Sequence, residues 1–334
     1  MVIVVVCRGC SMKHSILYLS QEDVKKCLTV KDTIEAVEEG IRLLGEGKAI
    51  QPPKIYMEID KYHGFMKPMI AFIDEPLNVS ATKNFAFFPS NREHGMPTIL
   101  ATMILNDPKT GAPFGIMDGT WITALRTAAT TAVAAKYLAK SDSEVVGIFG
   151  AGIQGRSHLM ALSELFKLKK VRIADKSREY SVRFAEEMSE KLKLDIIPED
   201  NNEQAVKGAD IVITATTGNE PLIKKEWIEP GMFIAKVGSY QELDFGIPKV
   251  VDKLVVDYWE YVSNRVPEIT KTSTKREDVY AEIAEIVSGK KRGRESAREK
   301  ILFLSIGMGV EDASVALLAY KRAKTLGIGQ NLRL

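Results

Sequence analysis

The sequence contains little cysteine. Cys7, Cys10 and Cys27 are the three cysteines among 334 residues, too few for the disulfide framework of a small secreted domain. Cys7-x-x-Cys10 follows an apolar run at the chain start instead of opening a helix after a strand, and no second pair completes a zinc site. The cysteine content therefore predicts a reducing compartment and a cytoplasmic location.

Long apolar runs are also missing. The run Val2–Val6 is far too short to span a membrane, and no basic segment precedes it. We therefore expect no membrane partner. Met12 begins a stretch that resembles an ordinary protein start, which predicts that residues 1–11 are an upstream extension or a misassigned start.

A strong charge of one sign and clustered histidines are absent as well. The formal net charge is only +2, and no basic stripe is interleaved with aromatic residues, which argues against nucleic acid as a partner. The basic segment 290–294 is expected to be a solvated turn after a helix. The four histidines lack H-x-x-x-H and H-E-x-x-H spacing, so no metal site is predicted.

The most informative segment that is present runs from Val145 to Asp175. It combines a short apolar run, Gly150, Gly152 and Gly155 at G-x-G-x-x-G spacing, a helix-like stretch, a second apolar run and an acid. The glycines permit a tight turn, a close approach of backbone amides to a pyrophosphate, and close packing of helix on strand. The helix start directs its N–H groups and its positive dipole end at the phosphates. The segment predicts a dinucleotide site.

The residue at position 175 bears on the choice of cofactor. A carboxylate there accepts hydrogen bonds from the adenosine ribose and repels a 2′-phosphate, which favours NAD(H). Lys176 and Arg178 follow closely and would tolerate NADP(H). Further predicted cofactor contacts lie at the helix start or near the ends of later strands: Ile153, Gln154, Thr214, Thr216, Thr217 and Val237.

The elements around this segment indicate the fold class. Strand-like and helix-like runs alternate from Val145 to about Val256, which predicts a doubly wound parallel sheet with right-handed crossovers. Short β-like runs precede it, followed by an alanine-rich helix over Thr120–Lys140. The pattern over Arg276–Ser288 predicts one further helix. The final predicted helix is Val310–Leu326, and we expect no strand after it.

The position of the glycine segment in the middle of the chain predicts a discontinuous fold. The C-terminal helix is too little material to fold alone, so we expect it to return to the N-terminal part. The predicted α/β fold is a Rossmann sheet domain, residues 131–305, inserted in an α+β substrate domain formed by residues 12–130 and 306–334.

Four cations stand in surroundings where charge is unusual. Lys54 follows two prolines, Lys67 precedes a proline, Lys83 begins an aromatic strand, and Arg126 lies inside the alanine-rich helix. Lysines on strands are usually edge charges that point to solvent. Arg126 departs from that pattern because small and apolar residues flank it, and its guanidinium suits a carboxylate.

Several motifs resemble those of the ornithine cyclodeaminase/mu-crystallin family, and the likeness extends from residue 17 to 324. The resemblance implies the discontinuous two-domain fold, dimerisation through the domain that does not bind nucleotide, and an imino or amino acid substrate. The motifs are PPK (52–54), KPM (67–69), TKNFAFFPSN (82–91), LNDPKTGAPFGIMDGTWITALRTAA (105–129), GIFGAGIQGR (147–156), ADIVITATT (209–217) and GVEDASVA (309–316).

The resemblance also implies roles for the cations. Lys54, Lys67 and Arg126 correspond to the groups that hold the substrate carboxylate, and Lys83 corresponds to the group that exchanges a proton with the substrate nitrogen or with water. Many cyclodeaminases and alanine dehydrogenases of the family carry an aspartate after the last sheet strand, where this chain has Ser239, a predicted substrate contact. Ketimine-reducing members also carry serine there. The loop that follows this strand is shorter here than in those cyclodeaminases and alanine dehydrogenases. Glu242 lies in it and would replace that aspartate only if the shortened loop redirects its side chain.

Three functions follow from these observations. The preferred one is an NAD(P)-dependent oxidoreductase, a homodimer, that interconverts a small imino or keto acid and an L-amino acid, with reduction of a cyclic ketimine such as pyrroline-2-carboxylate as the favoured case. The enzyme alternatives are ornithine cyclodeaminase, which the missing aspartate disfavours, and alanine dehydrogenase. An alternative from another class is a mu-crystallin-like protein that binds nucleotide and ligand without catalysis, which the retained cations oppose.

Overall fold

A computed structural model describes residues 15–333, so the predicted extension at 1–11 lies outside the described residues. The strands, in chain order, are β1 (Ser15–Leu19), β2 (Ala49–Ile50), β3 (Met57–Ile59), β4 (Gly64–Ile73), β5 (Val79–Phe87), β6 (Ile99–Asn106), β7 (Pro113–Asp118), β8 (Val145–Phe149), β9 (Lys170–Ala174), β10 (Asp195–Pro198), β11 (Ile211–Thr214), β12 (Phe233–Val237), β13 (Lys253–Val256), β14 (Ala281–Glu282), β15 (Ile301–Ser305) and β16 (Gln330–Arg333).

The helices alternate with these strands in the middle of the chain and cluster at both ends. They are α1 (Gln21–Cys27), α2 (Val30–Gly45), α3 (Thr120–Leu138), α4 (Ile153–Leu165), α5 (Arg178–Leu192), α6 (Asn202–Val206), α7 (Ile247–Val250), α8 (Trp259–Arg265), α9 (Pro267–Thr270), α10 (Ile283–Val287) and α11 (Gly309–Leu326).

The first sheet has the order β16-β1-β7-β6-β5-β4-β2, with β3 paired to β4. Its strands pair antiparallel except β1 with β7. The amphipathic helix α2 and the helices α3 and α11 pack against one another, and α11 also packs on β4 and β5. The C-terminal helix therefore covers strands formed by the N-terminal part of the chain.

The second sheet has the order β10-β9-β8-β11-β12-β15-β13-β14, and all of its pairs are parallel. Its central strands are mostly apolar and are buried, as expected of parallel strands that have helices on both faces. The predicted fold class, a Rossmann-type parallel sheet inserted in an α+β domain, is confirmed. The domain boundaries at residues 131 and 305 stay a prediction.

Three predictions about the C-terminal third were wrong. The parallel sheet does not end near Val256, because β15 inserts between β12 and β13. Arg276–Ser288 is not one helix: a short 3₁₀ turn is followed by β14, which pairs with the sheet edge at β13, and by α10. A strand does follow the last helix, since Gly327 ends α11 with φ +66° and β16 then pairs with β1.

Candidate active site

The glycine loop lies between β8 and α4. Gly150 has φ +107°, and a Cβ there would lie 2.6 Å from the carbonyl oxygen of Ala215. A Cβ at Gly155 would overlap the carbonyl oxygen of Gly150, so both positions require glycine. Gly152 precedes the helix without a side-chain cap and has open space where a Cβ would be. This free helix start, with unpaired N–H groups, fits a pyrophosphate.

Asp175 is engaged with this loop. Its Oδ2 accepts a hydrogen bond from the Ala151 N–H at 2.7 Å, and its Oδ1 accepts one from the Ser177 N–H at 3.0 Å. The half-buried carboxylate thus fixes the loop beside the end of β9. Lys176 and Arg178 are exposed, and Arg178 pairs with Asp200 at 3.1 Å, toward the end of β10.

Glu242 is buried at the ends of β11 and β12, and both of its carboxylate oxygens are occupied. Oε1 accepts from the N–H and the hydroxyl of Thr216, each at 2.7 Å, and Oε2 accepts from the Thr214 hydroxyl at 2.9 Å. Burial raises the pKa of Glu242 to about 7. Two of the predicted cofactor residues therefore hold this carboxyl group, which the loop does not redirect.

A second acid supports the same loop. Glu268 Oε1 accepts from the N–H groups of Glu242 and Leu243, both at 3.1 Å, and Glu268 Oε2 lies 3.3 Å from Lys236 Nζ. Ser239, by contrast, is exposed and makes no hydrogen bond within residues 15–333. The shortened loop thus presents no carboxylate at the position where the family pattern has an aspartate.

The predicted cofactor residues near the strand ends differ in exposure. Val237 ends β12 and is buried, whereas Thr217 is exposed beyond β11. At the helix start, Ile153 is exposed. The backbone carbonyl oxygen of Gln154 accepts a hydrogen bond from the His158 ring at 2.7 Å. The roles of these residues toward a cofactor stay predictions.

Strand β5 and helix α3 bring two of the predicted cations to the start of α11. Lys83 is completely buried, with its Nζ 2.7 Å from Asp312 Oδ1. The same oxygen lies 2.9 Å from Arg126 Nε, and Arg126 Nη1 lies 2.9 Å from Glu311 Oε2. Both acids occupy the first turn of α11, where the helix dipole favours negative charge.

Lys54 reaches the same region from the loop before β3. Its Nζ donates to the carbonyl oxygens of Ile306 and Gly307 at 2.9 and 2.6 Å, and it lies 4.2 Å from the centre of the Tyr261 ring. Asp257 orders this segment by accepting from the N–H groups of Ile306 and Gly307, both at 2.7 Å.

Lys67 has a different environment. It is 8% exposed, and it has no hydrogen bond or ion pair with the described residues. Its Nζ lies instead over three aromatic rings, at 5.2 Å from Tyr56, 5.8 Å from Phe65 and 4.7 Å from Phe85. Desolvation and the nearby charges of Lys54, Lys83 and Arg126 hold its pKa well below the usual range.

Burial also shifts the pKa values of neighbouring charged groups toward neutral pH. Desolvation, with the charge of Arg126, lowers the pKa of Lys83 to about 7, although Asp312 opposes the shift. Desolvation lowers the pKa of Lys54 to about 8 and raises that of Glu311 to about 7. Groups that gain or lose a proton near neutral pH are typical of a catalytic site.

The structure therefore brings Lys54, Lys67, Lys83 and Arg126 together, and it leaves Ser239 without contact to them. Sequence reasoning missed the acids of this site, which are Asp257, Glu311 and Asp312, and the buried Glu268. Glu311 and Asp312 lie in a motif that the family resemblance included, but acids in the first turn of a helix are common and gave no distinct signal.

A parallel sheet with a dinucleotide loop joins a buried cluster of cations, in which the pKa values of Lys83 and Lys54 are lowered to about 7 and about 8. This arrangement is that of an NAD-dependent oxidoreductase. Residues 14–326 match the ornithine cyclodeaminase/mu-crystallin family. The chain belongs to this family, as its motifs predicted.

The chain is similar to solved structures and to other proteins of this family over nearly its whole length. The structure of Thermococcus litoralis Delta(1)-pyrroline-2-carboxylate reductase in complex with NADH and L-proline is 40% identical, with a TM-score of 0.91, and covers 95% of this chain and 100% of that chain. An archaeal alanine dehydrogenase dimer with bound NAD is 34% identical, with a TM-score of 0.89 over 96% and 99% of the two chains. Alanine dehydrogenase of Archaeoglobus fulgidus is 35% identical over 95% of this chain and 98% of its own.

Residues 15–333 hold neither a metal-binding cluster nor a helix that could cross a membrane. No group of three or more His, Cys, Asp or Glu side chains is arranged to hold a metal ion there. None of the helices in this range combines the length and the hydropathy needed to cross a membrane.

Proposed function

We propose that this chain reduces small cyclic α-imino acids to L-amino acids with NAD(H), and that a five-membered imino acid of the pyrroline-2-carboxylate type is the preferred substrate. The observation that carries the proposal is Lys67, a buried lysine without an acidic partner among residues 15–333. A buried charge requires a counter-ion, and a substrate carboxylate would supply it. The relative that holds L-proline supports the substrate class.

The donors that remain in the cluster suit a carboxylate. Lys54 gives two of its three ammonium hydrogens to carbonyl groups, and Lys83 gives one to Asp312. Arg126 donates from Nε to Asp312 and from Nη1 to Glu311. The N–H groups of its Nη2 are therefore available to a substrate. Lys67 keeps all of its donors. We infer that Lys67 forms the main contact to the substrate carboxylate, with Arg126 and Lys54 beside it.

The wall around Lys67 suits an apolar ring. Tyr56, Phe65 and Phe85 surround its ammonium group, and ring stacking joins Phe65 to Phe85 at 6.0 Å between centroids. Such a surface favours a carbon ring or a short apolar chain next to the carboxylate. It offers no acid to a second amino group, and neither does Ser239.

Lys83 is the group that we propose to move the proton. Its pKa of about 7 lets it donate a proton to the imine nitrogen during reduction and accept one from the amine in the reverse direction at similar pH values. Lys83 therefore has the protonation behaviour that both directions of the reaction require.

We infer NAD(H) as the cofactor, held by the glycine loop, by the start of α4 and by Asp175. When bound there, it supplies or accepts the hydride. Both oxygens of Asp175 already accept backbone hydrogen bonds, so its negative charge faces the loop and disfavours a 2′-phosphate. Arg178 is directed to Asp200, which leaves Lys176 as the remaining cation near a phosphate at that position.

Alanine dehydrogenase activity is the second candidate, because two similar relatives carry that name. The apolar wall around Lys67 also admits a methyl group. Ornithine cyclodeamination is disfavoured, because Ser239 carries no charge and Glu242 is bound to Thr214 and Thr216.

The test is a substrate panel monitored by nicotinamide absorbance with NADH and with NADPH. It includes pyrroline-2-carboxylate, piperideine-2-carboxylate, pyruvate with ammonia, and ornithine. We expect the cyclic imines to be reduced fastest and with NADH. Turnover of pyruvate alone would select alanine dehydrogenase, and ammonia release from ornithine without net NADH formation would select the cyclodeaminase. No turnover with any of them, with cofactor binding intact, would favour a binding protein.

We also propose a homodimer that forms through the outer face of the first sheet. Ile70 and Ile104 lie on the same face, since Thr82 of β5 pairs with both, and they are 42% and 37% exposed. Leu100 extends the patch at 38% exposure. Exposed apolar faces of this kind mark interfaces, and one similar structure is a dimer. A cytoplasmic location stays a prediction from the cysteine content.

A further inference from the structure

Asp312 is the acid closest to the ammonium group of Lys83. Its Oδ1 lies 2.7 Å from Lys83 Nζ and 2.9 Å from Arg126 Nε, so one oxygen bridges the two cations. Asp312 and Lys83 are 1% and 0% exposed. Oδ2 of Asp312 is buried and accepts no hydrogen bond from the described residues. A completely buried carboxylate in this position acts on Lys83 through a charge that is screened much less than a charge at the surface.

We propose that Asp312 is a positioning residue that keeps Lys83 protonated and directed into the site during imine reduction. The proposal rests on the proposed function, in which Lys83 gives the proton. Reduction of the C=N bond adds hydride from NADH to carbon and a proton from Lys83 Nζ to nitrogen. The neutral Lys83 amine then takes a proton from water, and Asp312 favours this step.

The surrounding charges explain why Lys83 needs this acid. Burial disfavours its charged form, and so does the positive charge of Arg126. Glu311 contributes less, because it binds Arg126 and its own pKa of about 7 leaves it partly protonated at neutral pH. The charged groups that interact with the Lys83–Asp312 pair come from β4, α3, α11 and the loop before β3: Lys67, Arg126, Glu311 and Lys54.

The substitution Asp312→Asn tests this role. The asparagine oxygen still accepts a hydrogen bond from Lys83, but the negative charge is lost. The pKa of Lys83 then falls by about 1–3 units, which is the usual effect of an opposite charge at this distance. In reduction, kcat/KM requires protonated Lys83, so its decline with rising pH moves to lower pH. In oxidation of L-proline with NAD⁺, the rate rises with pH, and this rise moves to lower pH by the same amount.

The measurement is the pH profile of kcat/KM in both directions, together with Tm and NADH binding for each variant. Glu311→Gln is the matched control, since Glu311 lies in the same turn, is equally buried and binds Arg126 but not Lys83. We expect its shift to be the smaller one. Asp312→Glu retains the charge, and we expect it to keep the wild-type profile position even if its rate or its stability is reduced.

The outcomes separate the two proposals. Parallel shifts in Asp312→Asn, absent in Asp312→Glu, support the role of Asp312. A uniform loss of activity at every pH, with the profile unmoved, would overturn it and assign Asp312 a structural role only. A wild-type enzyme that turns over neither imine nor proline would overturn the proposed function, and the role of Asp312 with it. A wild-type profile that is unchanged in Lys83→Arg would remove Lys83 as the proton donor.

Discussion

At the scale of single residues, Lys67 shows how stability and function conflict in this site. A lysine that is buried among aromatic rings and has no acidic partner among the described residues loses the hydration of its charge and gains only weak cation–π contacts. The folded protein therefore bears a cost that the substrate carboxylate would offset. This arrangement couples the binding of an anion to the stability of the site.

We predict that Lys67→Met raises KM for the imino acid by about 10–100-fold, the value of one lost charge-assisted hydrogen bond. The same substitution raises Tm by about 2–4 °C, because the buried charge is removed. Since the lysine pKa is lower in the folded state than its usual 10.5, the unfavourable contribution of Lys67 to stability becomes smaller as pH rises. The gain in Tm is therefore larger at about pH 6 than at about pH 9. Calorimetry and steady-state kinetics check both effects. A lower Tm with unchanged KM would contradict the assignment.

Glu242 provides a second prediction at this scale. Its pKa of about 7 in the folded state exceeds the usual 4.5, so the folded protein binds more protons than the unfolded chain between these values. Its contribution to stability therefore declines as pH rises through this window. We predict that Glu242→Gln removes this contribution, so that the slope of Tm against pH between about pH 5 and pH 8 is more positive than in the wild type. The exposed Glu186→Gln on α5 should leave the wild-type slope unchanged, and an equal slope in both variants would refute the explanation.

At the scale of elements, the turn from β15 to α11 joins the two halves of the site. Gly307 has φ +84°, and a Cβ there would collide with the guanidinium of Arg126. Its carbonyl oxygen accepts from Lys54, and its N–H donates to Asp257. One glycine thus allows three charged side chains to converge on a single turn.

We predict that Gly307→Ala displaces Arg126 and lowers kcat/KM by at least about tenfold, which corresponds to the loss of about 1.4 kcal/mol of binding in the transition state. Gly327→Ala is the matched control, because it has a similar φ of +66° but open space around a Cβ. Both variants lose about 1–2 kcal/mol of stability from the left-handed backbone, but only the first should lose activity. Equal activities in the two variants would show that the contact with Arg126 is unimportant.

Local sequence patterns predict some elements of this fold and miss others. The capping box of Ser20 and Asp23 and the amphipathic helix α2 were predictable, because local hydrogen bonds and periodicity determine them. The strands β14 and β16 were not. Each is short, and each becomes a strand because the edge of an existing sheet, at β13 or β1, offers unpaired backbone groups. No local pattern reports such an edge.

At the scale of the whole molecule, one face of the first sheet carries the helices α2, α3 and α11, and the opposite face exposes Ile70, Leu100 and Ile104. A sheet face that is left apolar and uncovered is usually buried in an assembly. If two copies cover this face, the strands that carry Lys67 and Lys83 lie directly behind the interface. Association would then also stiffen the substrate site.

We predict that Ile104→Glu shifts the protein from dimer to monomer in light scattering, because a buried and unpaired carboxylate at the interface costs several kcal/mol. Tyr180→Glu is the control, since Tyr180 is 52% exposed on α5, away from this sheet, and should leave the mass unchanged. A monomeric wild type, or an Ile104→Glu variant that stays dimeric, would exclude this interface.

The sequence by itself determined the dinucleotide loop, the fold class and the family, because these depend on local spacing and on runs of apolar residues. It also provided the four cations, but not their partners. Only the tertiary structure decided that Arg126 and Lys83 share Asp312, that Glu242 is bound within the loop and that Lys67 has no acidic partner among the described residues. The physical reason is that a pKa and a counter-ion depend on what surrounds a charge in space, and residues more than 180 positions apart in the chain provide those surroundings.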